Sequence, residues 1–131
     1  MVSILVISHS YTMAKSVVEL LGEMKSEPFK FDYLGGMEDH KTFGTDVLAI
    51  KNKIKTMDEG DGVLIITDMG SSIMNSQMAL TMLDKPLATR VKIANAPFFE
   101  AILASVVANQ PGMSVDELLV VAQSTLNQKK F

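Results

Sequence analysis

Nucleophilic chemistry in this 131-residue chain falls to few side chains, because it holds two histidines, His9 and His40, and no cysteine. A neutral imidazole offers one nucleophilic nitrogen, while the other carries a proton that needs an acceptor. His9 lies in Ser8-His9-Ser10, directly after an apolar run. A carboxylate beside it would fix the tautomer and stabilise the cation that forms when the free nitrogen is modified. Asp68, which opens Asp68-Met69-Gly70-Ser71-Ser72 after a second apolar run, is the natural candidate. A phosphoryl group on His9 would need anion donors, and the amides of Gly70, Ser71 and Ser72 at a helix start could supply them. The set suits a phosphohistidine carrier. It suits a metal site poorly, since one histidine and scattered carboxylates make no ligand cluster, and no cofactor is expected. Ser10, Thr45, Asp46 and Met69 would line the site.

Each of these residues also has a structural reading. A histidine in a loop is usually a solvated side chain, although a place directly after a buried strand raises the functional reading. On local pattern alone Asp68 reads better as a cap for the helix beginning near Ser71. Thr45 and Asp46 could likewise be a cap and a first-turn acid. Gly35-Gly36 reads as a turn, since no P-loop lysine follows, and His40, among Glu38, Asp39 and Lys41, reads as solvated. The methionines Met74, Met78 and Met82, spaced i, i+4, i+8, are expected to fill the core, with a dimer surface as the second reading. Phe98-Phe99 is expected to pack the last helices on the sheet, and Glu100 has no assigned task.

The elements that must position these residues are legible in the apolar periodicity. Four short runs, Val2–Ile7, Phe29–Leu34, Gly62–Thr67 and Arg90–Ala94, read as strands. The continuous stretches Ile4-Leu5-Val6-Ile7 and Val63-Leu64-Ile65-Ile66 suit strands covered on both faces. Between them Ala14, Val17, Val18, Leu21 and Met24 follow a 3.6 period, and so do Val47, Leu48, Ile50, Ile54 and Met57. Pro97 suits the first turn of a helix reaching about Asn109, and Ser114-Val115-Asp116-Glu117 has the form of a capping box. The order βαβαβαβαα implies a parallel sheet with helices on both faces and right-handed crossovers. In such a sheet ligands bind outside the carboxyl ends of the strands, which is where His9, Gly35-Gly36, Asp68 and Asn95 fall. The opposite rim, with Glu27-Pro28, Asp58–Asp61 and Lys85-Pro86, reads as ordinary turns.

Composition narrows the classes. The chain is 47% hydrophobic and 21% charged, the profile of one globular domain spanning residues 1–131. Twelve Lys and Arg against fifteen Asp and Glu leave a net charge of −3, without the basic footprint of a nucleic-acid binder. No segment approaches the length of a membrane span and the N-terminus lacks a basic n-region, so no membrane contact and a cytoplasmic location are expected. Only residues 127–131 are expected to fray.

Ser8-His9-Ser10, Gly44-Thr45-Asp46, Asp68-Met69-Gly70-Ser71 and Asn95-Ala96-Pro97, in this order and spacing, resemble the mannose-type EIIA superfamily of the bacterial phosphotransferase system. The resemblance covers nearly the whole chain, to about Ala122. Within that superfamily it is nearest the phosphotransferase subunit of the phosphoenolpyruvate-dependent dihydroxyacetone kinase. It implies a three-layer α/β/α fold on a mainly parallel four-stranded sheet ordered 2-1-3-4. It further implies that His9 accepts a phosphoryl group on Nε2 from the carrier HPr while Asp68 holds Nδ1. The acceptor would be ADP bound on the subunit DhaL, with the dihydroxyacetone-binding DhaK served indirectly, and the carrier would be a homodimer. With the chain stopping at Phe131, HPr is expected to come from elsewhere. Phe98-Phe99-Glu100-Ala101 departs from the smaller Leu-Val-Glu-Gly type of sequence in such proteins, so a partner surface could differ. Sugar-transporting relatives, which pass phosphate to a IIB partner, show a Gly-Gly-Ser-Pro type of segment where this chain has Met69-Gly70-Ser71-Ser72. That contrast favours the kinase subunit, with the sugar-specific component as the alternative and a non-catalytic sensor of phosphorylation state as a third reading.

Overall fold

Residues 1–127 are described by a computed structural model, which therefore leaves all of the expected frayed end but Asn127 outside the described residues. Strands β1 (Ser3–Ser8), β2 (Phe31–Gly35), β3 (Val63–Thr67) and β4 (Val91–Ala94) form one sheet in the order β2-β1-β3-β4. Every pairing is parallel. β1 and β3 are buried along their whole length, as their unbroken apolar sequences require, and β2 at the edge is only half-buried. Helices α1 (Tyr11–Gly22), α5 (Phe98–Ala108) and α6 (Val115–Gln123) cover one face, and α2 (Val47–Met57), α3 (Gly70–Thr81) and α4 (Lys85–Ala88) the other. The period-2 alternation of β1 decides the allocation. Val2, Ile4 and Val6 meet Leu21, Ile102 and Leu118 on the first face, while Leu5 and Ile7 meet Ile50, Ile54 and Ala79 on the second. The result is the expected three-layer α/β/α architecture, with a sheet that is parallel throughout.

Three local expectations change. Lys85-Pro86 is the start of a short helix, capped by the Asp84 carboxylate accepting from the Leu87 amide at 2.9 Å, with the proline in the first turn where it needs no donor. The methionine stripe is outside: Met74, Met78 and Met82 are 68%, 57% and 43% exposed. Its helix turns Ser72, Ser76 and Ala79 to the sheet instead. These small residues let α3 lie close, and the Ser76 hydroxyl is satisfied by the Ser72 carbonyl at 2.7 Å. Phe98 packs on the core cluster of the α5 side, and Phe99 is exposed. No helix among the described residues is long and apolar enough to cross a membrane.

Candidate functional site

His9 and Asp68 each stand one residue beyond a strand end, on the two central strands. Connections leave β1 toward β2 and β3 toward β4, in opposite directions across the sheet, so a crevice opens between β1 and β3 at the carboxyl rim. The register places Ile7 opposite Thr67, and the Asp68 amide donates to the Ile7 carbonyl at 3.2 Å, carrying the ladder one residue past the strand. That last rung fixes the Asp68 backbone beside His9. The His9 carbonyl is tied down from the other side, accepting from the Gly44 amide at 2.9 Å.

Around the ring the hydrogen bonds assign the proton. His9 Nδ1 lies 3.0 Å from Asp68 Oδ1 and 3.0 Å from the Ser72 hydroxyl, which itself donates to Asp68 Oδ1 at 2.9 Å. Asp68 Oδ2 accepts from the Ser8 hydroxyl at 2.9 Å and from the His9 amide at 3.0 Å. With every neighbour of the carboxylate a donor, Nδ1 carries a proton, and in the neutral ring Nε2 then keeps its lone pair. The Ser71 hydroxyl meets that lone pair. Burial, the largest influence on the Asp68 carboxyl, pushes its pKa up; the bonds from the His9 amide, the His9 ring, Ser72 and Ser8 outweigh it and hold the group below the ordinary carboxylate value. Asp68 is therefore a buried anion, with 7% of its side chain exposed, beneath an imidazole whose side chain is 18% exposed.

The structure brings His9, Asp68, Ser71 and Ser72 into one cluster and places the other expected residues around it. Met69, not Asp68, is the N-cap of α3, and it makes no side-chain cap bond, so the local-pattern reading of Asp68 as a cap does not hold. The Asp68 carboxylate is drawn away by four donors from β1, the His9 loop and α3. The Ser72 amide is already donated to the Met69 carbonyl at 3.0 Å. Ser72 thus enters through its hydroxyl, under the ring, and the first-turn amides left at the helix start are those of Gly70 and Ser71. Ser10 caps α1, accepting from the Met13 amide at 3.2 Å, and Asp46 caps α2, accepting from the amides of Leu48 and Ala49. Thr45 accepts from the Asn75 side chain, joining the loop after β2 to α3. Ser8, fully buried at the end of β1, had no assigned role in the sequence; its signal was a hydroxyl immediately before the histidine and at the end of an otherwise apolar strand. His40 is exposed but not free, since its ring stacks on Tyr11 at 3.9 Å. Among the described residues no group of three or more His, Cys, Asp or Glu could hold a metal ion.

Comparison with known proteins supports the same fold. Residues 3–119 match the family EIIA-man, described as PTS system fructose IIA component. The chain is 30% identical over 132 aligned residues to the PEP-dependent dihydroxyacetone kinase, phosphoryl donor subunit DhaM, of Escherichia coli, covering 99% of this chain and 28% of that protein. It thus spans about a quarter of the length of that relative. Against the phosphoryl donor subunit DhaM of PEP-dependent dihydroxyacetone kinase 2 of Listeria innocua it is 29% identical, covering 91% of this chain and 94% of the relative. The crystal structure of the unknown function protein EF1359 superposes with a TM-score of 0.87 at 28% identity, covering 100% of this chain and 99% of that one.

Proposed function

Because the chain belongs to the EIIA-man family, we propose that it is a phosphohistidine carrier in which Nε2 of His9 receives and gives up a phosphoryl group. The observation that supports this most directly is the proton assignment: Asp68 and Ser72 keep the proton on Nδ1 and leave Nε2 nucleophilic. In the forward step the Nε2 lone pair attacks phosphorus on the phosphohistidine of HPr; the Nε2–P bond forms as the donor's N–P bond breaks, and the donor imidazole leaves. Ser71 gives up its contact with Nε2 and, with the amide of Gly70, faces the incoming oxygens at the positive end of α3. The positive charge that the modified ring acquires is balanced by the buried Asp68 anion, so no proton need move. In the second step ADP held on DhaL attacks the same phosphorus, and ATP forms as the Nε2–P bond breaks. The relatives named as phosphoryl donor subunits of dihydroxyacetone kinase support this acceptor over a sugar-specific IIB partner. In this reading DhaK, which binds dihydroxyacetone, is served indirectly, and the carrier works in the cytoplasm as a homodimer.

Incubation with phosphoenolpyruvate, the general phosphotransferase enzymes and HPr is expected to place an acid-labile phosphate on this chain, and His9→Ala to abolish it. Normal labelling of that variant would overturn the assignment. Addition of ADP-loaded DhaL with DhaK and dihydroxyacetone should discharge the label into dihydroxyacetone phosphate. Discharge only to a IIB protein would favour the sugar-specific component, and labelling without discharge to either would favour the sensor reading. Light scattering of the labelled and unlabelled protein tests the homodimer.

A further inference from the structure

The hydrogen bonds around His9 continue past the ring. Asp68 Oδ1 lies 3.0 Å from Nδ1, and Nε2 on the far side meets the Ser71 hydroxyl. With Nδ1 protonated in the neutral ring, Nε2 can only accept, so the Ser71 hydroxyl is the donor. Carboxylate, imidazole and hydroxyl thus stand in the order by which acyl-transfer enzymes of unrelated folds activate a serine. Among the described residues the Ser71 hydroxyl bonds to nothing but Nε2, so it is not spent on capping α3. Ser71 is exposed in the first turn of that helix. The amides of Ser72 and Ile73 are taken by the Met69 carbonyl, at 3.0 and 3.4 Å, which leaves those of Gly70 and Ser71 as the open donors. A Cβ on Gly70 would meet no atom within 4 Å, so the approach to these donors is clear.

We propose that the unphosphorylated chain has a second activity, the hydrolysis of short-chain carboxylic esters, with Ser71 as nucleophile, His9 as general base and Asp68 orienting the ring. Ser71 Oγ attacks the ester carbonyl carbon as its proton passes to Nε2. The carbonyl π pair moves onto oxygen, and the oxyanion faces the amides of Gly70 and Ser71 at the positive end of α3. When that pair returns, the bond to the leaving oxygen breaks and Nε2 gives its proton to the departing alcohol. Water then attacks acyl-Ser71 with its proton going to Nε2; the Oγ–C bond breaks, Oγ takes that proton back, and the carboxylic acid is released. Water is the only co-reactant. The ring cation formed in each step is paired with the buried Asp68 anion. Met74, three residues beyond Ser71 on the helix and 68% exposed, flanks the acyl chain. The same hydroxyl does not intercept the carrier reaction. A phosphoryl group on Nε2 is displaced in line, from the side opposite the ring, whereas Ser71 stands next to the nitrogen that would have to leave.

The test exposes wild type, Ser71→Ala, His9→Ala and Asp68→Asn to p-nitrophenyl acetate, follows p-nitrophenol release and locates the acetyl group by peptide mass spectrometry. Wild type is expected to release a burst of about one equivalent per chain, with the acetyl group on Ser71, and then to turn over more slowly. Each variant should lose about a hundredfold or more in burst rate. Release by Ser71→Ala at the wild-type rate, or acetyl found on His9 or on lysines but not on Ser71, overturns the proposal. So does a burst that persists once His9 is fully phosphorylated, because Nε2 can then take no proton. Absence of the burst in a chain that accepts phosphate overturns the second activity and leaves the carrier reading standing. A burst in a chain that never accepts phosphate supports the second activity and overturns the carrier.

Discussion

At the scale of single residues, the candidate site depends on which nitrogen of one ring carries a proton. Asp68→Asn tests this with almost no change in shape. The amide can turn its NH₂ toward Nδ1, which then becomes the acceptor and pushes the ring proton to Nε2, the atom that must attack. Phosphorylation of His9 is expected to slow by about a hundredfold or more, as loss of a positioned acid–base partner does, with the circular dichroism spectrum unchanged. Equal labelling rates for variant and wild type would reduce Asp68 to a structural anchor for β1 and β3. Ser72 holds both partners of this bond through one hydroxyl, so its role was not visible from its position among helix-start amides. His9 and Asp68 are legible in the sequence because each follows an apolar run, and runs of that kind end at a rim where ligands bind. Ser8 is not, because a serine in a buried strand has many uses, and only the fold shows an Asp68 oxygen 2.9 Å away.

At the scale of elements, the strands and their order of appearance were legible because β1 and β3 are covered on both faces and so admit no polar alternation. The facing of α3 was not. Methionine is apolar, yet the stripe Met74–Met78–Met82 lies outward because Ser72, Ser76 and Ala79 provide the narrower face against the sheet; the period was readable and its direction was not. Met78→Lys is accordingly expected to change the unfolding free energy by no more than about 0.5 kcal/mol, the range of surface substitutions, in thermal or denaturant unfolding. A loss of several kcal/mol would return the stripe to the core. The junction of β2 with α1 should respond in the opposite way. A Cβ on Gly35 would stand 2.5 Å from the Ser10 carbonyl oxygen and 2.8 Å from the Tyr11 Cα, both backbone atoms that cannot swing aside. Gly35→Ala is thus expected to cost about 1–3 kcal/mol, as overpacking does, and to slow labelling of His9 because the relief must come from Ser10-Tyr11, which directly follows it.

Across the whole molecule the two rims divide their labour, and acid should separate them. The carboxyl rim carries the His9–Asp68 pair. At the amino rim Arg90 donates through Nε to both Asp58 oxygens, at 3.1 and 3.2 Å, and through Nη2 to Oδ2 at 2.6 Å, while the amides of Gly60 and Gly62 donate to Oδ1. This cluster clamps the starts of β3 and β4. Asp58 lies below the ordinary carboxylate value, first because of the Arg90 hydrogen bond, and Asp68 lies below it because four donors outweigh its burial. A carboxyl depressed in the folded state stabilises fully above its unfolded value, about 3.9, and loses that contribution as pH falls through the folded value. The thermal midpoint is therefore expected to stay nearly level from pH 7 to about pH 5 and to fall below about pH 4 as these groups take up protons. Asp58→Asn keeps an oxygen for the Gly60 and Gly62 amides but removes the charge opposite Arg90. Its midpoint should lie below that of wild type at pH 7, and the two curves should draw together as pH falls below the ordinary carboxylate value and through the depressed folded value of Asp58. Parallel curves through the whole acid limb, down to unfolding, would mean that the Arg90–Asp58 pair adds nothing that titrates. Because Asp58 is remote from the rim that carries His9, its variant should also accept phosphate at the wild-type rate at pH 7, which separates the clamp that holds the sheet together from the anion that orients the ring.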